Sequence, residues 1–170
     1  AVLWDVDGTL AETERDGHRV AFNAAFEALG LPWHWDVARY GELLAVTGGR
    51  ERLLHDMASR PDAPVREADR RALAQALHVR KNSHYAQLVG QGGTPLRPGV
   101  RALLEACRAV GLRQGIVTTT SRVNVHALLS QALGPHWPAL FDCVVCGEDA
   151  ARKKPDPLAY QIALDLLGLP

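Results

Sequence analysis

The chain has 170 residues, 47% hydrophobic and 22% charged, with a formal net charge of zero. That length suits one good core, or a core with a small insert. The neutral balance argues against nucleic acid as a partner, and no uninterrupted apolar run is long enough to span a bilayer.

Residues 2–10 read V-L-W-D-V-D-G-T-L. The apolar residues there fall on both faces of a strand, which suits a buried parallel strand rather than an exposed hairpin. With a side-chain period of two, Asp5 and Asp7 are expected to point the same way. The pattern then turns helical: Phe22, Phe26 and Leu29 recur at i, i+4 and i+7, and Gly30 with Pro32 closes that helix. Asp36 is a candidate cap for a short helix to about Ala45, broken at Gly48-Gly49. A third helix is expected from about Arg50 to Pro61 with Leu53, Leu54 and Met57 inward, and a fourth over 65–89. Four helices with no strand between them predict a helical insert over 13–92. The G-Q-G-G stretch at 90–93, with Pro95 and Pro98, reads as the return hinge.

From Pro98 onward helices and strands alternate. Helices are expected at 100–110, 122–133 and 157–167, and strands at 112–117 and 141–146. This alternation indicates parallel βαβ units. The expected fold is α/β: a Rossmann-like parallel-sheet core (residues 1–12 and 93–170) with an inserted α-helical domain (13–92).

Three cysteines, Cys107, Cys143 and Cys146, are too few for a disulfide framework. Cys143 and Cys146 lie in the apolar run C-V-V-C, where a three-residue offset puts the thiols on opposite faces of a strand. Core cysteines and a reducing compartment follow, cytoplasmic or, in a plant, the plastid stroma. The chain starts within a strand at Ala1 with no initiator methionine, which suggests a trimmed chain.

Three strand ends carry polar clusters: Asp5 with Asp7, Thr118 through Ser121, and Lys154. In a parallel sheet all three open on one edge, where open α/β sheets bind ligands. A carboxylate, hydroxyls and a lysine form a coherent set for phosphoryl transfer. Asp5 is the candidate nucleophile and Asp7 the candidate acid and base. Thr118 and nearby N–H groups would hold the phosphoryl oxygens, Lys154 would offset their charge, and Gly8 would allow close backbone approach. Two unit charges about 4 Å apart repel by about 4 kcal/mol at an effective dielectric near 20. A phosphate dianion facing Asp5 meets roughly twice that, more than one lysine offsets, so Mg²⁺ is the expected cofactor.

With these residues in view, the sequence resembles the haloacid dehalogenase-like hydrolases. D-V-D-G-T-L, the threonine after a second strand and the Lys-Pro after a third match their first three motifs. The stretches D-G-T-L-A-E-T-E, A-F-N, W-H-W-D, L-L-A-V-T-G-G-R-E-R and T-T-T-S-x-x-N-V resemble more narrowly the CbbY-type sugar-phosphate phosphatases. Members of that group hydrolyse xylulose-1,5-bisphosphate, an inhibitory by-product of the carbon-fixing enzyme Rubisco. The resemblance implies a cap domain over 13–92, Mg²⁺ at Asp5 and at the Asp7 carbonyl, and catalytic roles for Asp5, Asp7, Thr118 and Lys154. It further implies substrate contacts from Gly48, Gly49 and Arg50 in the cap loop, from Lys81, and from Glu14 and Tyr40 toward sugar hydroxyls. Gly8, Thr119, Thr120 and Asn124 complete the implied substrate set. Trp33 and Trp35 are expected to pack the cap; His18 could approach the substrate, although an isolated histidine on a helix is more often structural. The stretch from Glu14 to His18 carries one residue more than many relatives have.

The resemblance also implies a fourth motif with acidic metal ligands on a further strand. Asp156 and Asp165 are not placed to supply it. Residues 2–6 are therefore expected to form an unpaired edge, and the 170 residues alone to bind Mg²⁺ weakly and turn over poorly. The expected partner is a small sugar phosphate, with neither nucleic acid nor membrane, and the expected state a monomer. Rival readings are a phosphosugar mutase, a phosphoglycolate phosphatase, a receiver-type phospho-acceptor domain and a sugar-phosphate-binding module.

Overall fold

In the computed structural model, which describes all 170 residues, the chain starts with strand β1 (Val2–Trp4). A π-helical turn, Glu14–His18, leads into α1 (Arg19–Ala28), followed by α2 (Val37–Leu43), α3 (Gly49–Ala58) and α4 (Glu67–Gly90). The alternating part comprises α5 (Val100–Ala109), β2 (Gln114–Val117), α6 (Arg122–Leu133), β3 (Cys143–Val145) and α7 (Leu158–Leu167). The strands form one parallel sheet in the order β1-β2-β3. β1 thus has a single hydrogen-bonded neighbour, and its strand ends open beside those of β2 and β3.

The observed strands are shorter than expected, because a ladder persists only where both neighbours remain in register. Beyond it, Arg113 O still accepts from Val2 N at 2.8 Å and Asp142 N donates to Gln114 O at 2.7 Å. β1 stops at Trp4, so Asp5 and Asp7 lie past the strand and are freed from its period of two. A 3₁₀ turn, Trp137–Leu140, was not expected. It seats Trp137 against the cluster that holds Val6, Ile116 and Leu128. Cys143 and Cys146 fall in different apolar clusters, as opposite faces require. No helix is long and apolar enough to cross a membrane.

The stretch Glu14–His18 is a π-helical turn, a form that inserts one residue without ending a helix. Gly17 within it lies so close to α4 that a Cβ would meet Tyr85 Cε2 at 3.1 Å. The two crossings between the helical and sheet parts run side by side. Ala11 bridges Leu96, Arg97 N donates to Leu10 O at 2.9 Å, and Arg97 pairs with Glu12 at 3.2 Å.

Helices α1–α4 enclose an apolar cluster of their own, built on Phe22, Phe26, Trp35, Tyr40, Leu53 and Leu77. Asp36 caps α2 as expected, accepting from Arg39 N at 2.7 Å. At the wall of this cluster Asp56 is buried, accepting from Trp35 Nε1 at 2.9 Å and from Arg39 Nη2 at 2.6 Å, with Arg60 at 3.4 Å. Asp56→Ala strands the buried indole N–H and should destabilise the chain by about 1–3 kcal/mol. Urea unfolding checks this: the midpoint falls with the slope unchanged, and an unchanged midpoint would refute it.

Candidate active site

Past β1 the chain turns at Gly8, and the two aspartates take different partners. Asp5 Oδ1 lies 2.9 Å from Lys154 Nζ, which also donates to Val117 O at 3.0 Å. The first and third strand ends are therefore joined by an ion pair over the second. Asp7 instead faces the π-helical turn. Its Oδ1 accepts from Thr13 Oγ1 and from His18 Nε2 (2.9 Å), and its Oδ2 accepts from Thr120 Oγ1. Burial works against charge on Asp7. His18 and the hydrogen bonds from His18, Thr120 and Thr13 outweigh it and hold this carboxyl well below the usual range.

Behind His18 stands Lys81, whose Nζ lies 2.8 Å from His18 Nδ1. An ammonium only donates, so Nδ1 accepts and the hydrogen on Nε2 faces Asp7. Lys81 is itself buried against the rings of Phe22 and Tyr85. Burial pushes its pKa from 10.5 down to about 8, although Asp7 and Glu14 pull the other way. Glu14 is held by Tyr40, whose hydroxyl donates to Oε2 at 2.5 Å. Arg52 donates to that hydroxyl at 2.9 Å and to Leu43 O at 3.0 Å, with Glu14 Oε2 at 3.9 Å.

These groups surround an inner cavity of about 100 Å³. Of the expected site residues, Asp5, Asp7, Glu14, Gly48, Gly49 and Lys81 line it. Thr119, Thr120 and Asn124 line it as well. Four others do not. Thr118 is buried, and its Oγ1 accepts from Thr120 N at 3.2 Å, so its side chain serves the turn and its neighbours face the cavity. Tyr40 stands one layer back, behind Glu14 and Arg52. Gly8 supplies the turn at a φ of 75°, with its carbonyl taken by Arg97. Lys154 borders a second cavity, of about 590 Å³, which Asp5, Glu14 and Arg52 also line. Arg50 borders a third, of about 550 Å³, which shares Gly48, Gly49 and Thr119 with the inner one.

Arg52, His18, His78 and Ser121 also line the inner cavity. Arg52 escaped the sequence reading because it sits on the inward face of α3, one turn before Asp56. A charged pair at i, i+4 beside Leu53 and Met57 was the available signal. His18, read as structural with approach to the substrate as the alternative, contacts Asp7 at 2.9 Å and lines the inner cavity.

No group of three His, Cys, Asp or Glu side chains gathers to hold a metal. The donors fit a smaller share of a Mg²⁺ shell. Asp5 offers a carboxylate oxygen, and the Asp7 carbonyl accepts no hydrogen bond within the chain. Mg²⁺ typically takes one or two carboxylates together with water and substrate phosphate.

The model for haloacid dehalogenase-like hydrolases matches residues 1–170. The chain belongs to this family of haloacid dehalogenase-like hydrolases. It is 44% identical over 169 residues to the protein CbbY of Cupriavidus necator, covering 99% of this chain and 66% of that protein. The crystal structure of CbbY from Rhodobacter sphaeroides with phosphate superposes at a TM-score of 0.90 with 39% identity, covering 99% of this chain and 72% of that one. A mutant of the same protein, crystallised with xylulose-(1,5)bisphosphate, matches at 0.90 with 38% identity and the same coverage. The chain thus spans about two thirds to seven tenths of these relatives' lengths.

Buried Lys81 gives this cluster a pH-dependent signature. Its folded pKa of about 8 lies below the unfolded 10.5, so between those values the unfolded chain holds more protons and stability rises with pH. Lys81→Met should remove that rise. Urea unfolding at pH 8 and pH 10 on both proteins checks it, and an equal rise in both would contradict the assignment.

Proposed function

We propose that this chain carries the site of a Mg²⁺-dependent phosphatase that hydrolyses a small sugar bisphosphate, xylulose-1,5-bisphosphate foremost. The observation that carries the reading is the Asp5–Lys154 pair at 2.9 Å, with Asp5 and Asp7 both lining one polar cavity. Its substrate assignment draws on the similarity to a protein crystallised with xylulose-(1,5)bisphosphate.

On this reading residues 13–92 form a cap over a core of residues 1–12 and 93–170. An Asp5 oxygen attacks phosphorus, and the phosphoryl group moves to Asp5 as the sugar alkoxide leaves. Asp7 gives the leaving oxygen its proton and later takes one from water. The donors now around Asp7 favour its charged form, which suits the second step. The first requires that some of those contacts loosen. Lys154 and the backbone after β2 offset charge on the phosphoryl oxygens. When bound at Asp5 and the Asp7 carbonyl, Mg²⁺ supplies further neutralisation of those oxygens.

The inner cavity of about 100 Å³ holds little more than the reacting group, since ligand pockets typically run to about 300–1,000 Å³. The remainder of a bisphosphate therefore extends into an adjoining cavity. The one lined by Arg50 and Lys153, together with Glu51 and Glu148, offers cations, and a guanidinium suits a second phosphate.

The test is a panel of sugar monophosphates and bisphosphates assayed with Mg²⁺. Pentose bisphosphates should turn over fastest, and Asp5→Asn should abolish turnover. Equal rates across the panel, or hydrolysis surviving in Asp5→Asn, would overturn the reading.

A further inference from the structure

Helix α4 contributes more to the adjoining cavity of about 550 Å³ than to the inner one. Gln75, His78 and Asn82 recur at i, i+3 and i+7, which places them on one helical face, and all three line this cavity. Thr119 and Ser121, the latter capping α6, line the same cavity. None of these five side chains is an acid or a lysine. The charged groups lie around them: Arg50 and Lys153 with Glu51 and Glu148.

The three α4 residues are committed to different degrees. Asn82 is occupied, accepting from Asn124 Nδ2 at 2.9 Å and donating to Ser121 Oγ at 3.5 Å. His78 Nε2 meets Ser121 Oγ only at 3.5 Å, the long limit of a hydrogen bond. Burial, with Lys81 and Arg50 adding to it, pushes the His78 imidazole from 6.5 down to about 4. It is therefore neutral near pH 7, with one nitrogen to donate and one to accept. Gln75 is exposed on the same wall and carries both a donor and an acceptor. A wall that both donates and accepts, without net charge, matches hydroxyl groups better than phosphate.

We propose that Gln75 and His78 form a hydroxyl-reading wall, selecting a polyhydroxylated carbon chain between the phosphate at Asp5 and a second phosphate at Arg50. The inference rests on the sugar-bisphosphate reading and names the residues that separate a sugar from an alkyl bisphosphate of equal length.

The experiment uses the Asp5→Asn chain, so that ligands bind without turnover, and measures calorimetric affinity with Mg²⁺. Xylulose-1,5-bisphosphate is compared with pentane-1,5-diyl bisphosphate, which has the same reach and no hydroxyls. Adding Gln75→Ala or His78→Phe should each weaken the sugar ligand about five- to tenfold, the loss of roughly one hydrogen bond, while the alkyl ligand changes less than about twofold. Equal losses for both ligands, or none for either, would overturn the proposal. Gln75 is exposed, so its variant remains informative even if His78→Phe fails to fold. If the Asp5→Asn chain bound neither bisphosphate, the phosphatase reading itself would fail, a result distinct from a wall that does not discriminate.

Discussion

Three carboxylates converge on one small cavity, and the site depends on how their repulsion is met. Each has its own cationic counterpart, supplied by a different part of the chain. Asp5 is paired with Lys154 from beyond β3. Asp7 reaches Lys81 of α4 through the imidazole of His18. Glu14 is held by Tyr40 of α2 and Arg52 of α3. For Asp7, the most enclosed of the three, burial alone would favour the neutral form, and its partners outweigh it.

That arrangement ties fold to function. The parallel sheet brings Asp5, Thr119 and Lys154 to one edge because every strand runs the same way. The four inserted helices supply Lys81, Arg52 and the Gly48-Gly49 loop, so two of the three cations exist at the site only while these helices lie on the sheet. Asn82 and His78 of α4 touch Asn124 and Ser121 of α6, which makes the charge balance sensitive to the docking of one part on the other. A conformational step in turnover would therefore alter the electrostatics of Asp7 together with access of water.

Much of this was legible in the sequence, for identifiable reasons. The parallel pairing of β1, the period of α1 and the Asp36 cap each have one strong local cause, and they lie where expected, although β1 is only half-buried. The joint placement of Asp5 and Lys154 followed from strand direction alone. What escaped was set by tertiary contact. Period two failed for Asp5 and Asp7 because the strand ends at Trp4. Thr118 was read as a phosphate holder, but turn geometry directs its hydroxyl to Thr120 N. Arg52 was hidden because apolar periodicity cannot show a cation buried on an inward face. Nor does any sequence pattern state that His18 would bridge residues 7 and 81.

The central claim is that Asp5 itself takes the phosphoryl group. Rapid-quench mass spectrometry of the chain mixed with Mg²⁺ and xylulose-1,5-bisphosphate tests it most directly. The account predicts a transient phosphoryl adduct that maps to the peptide containing Asp5 and decays as free phosphate appears. Release of phosphate with no adduct at any time, or an adduct on another residue, would contradict it.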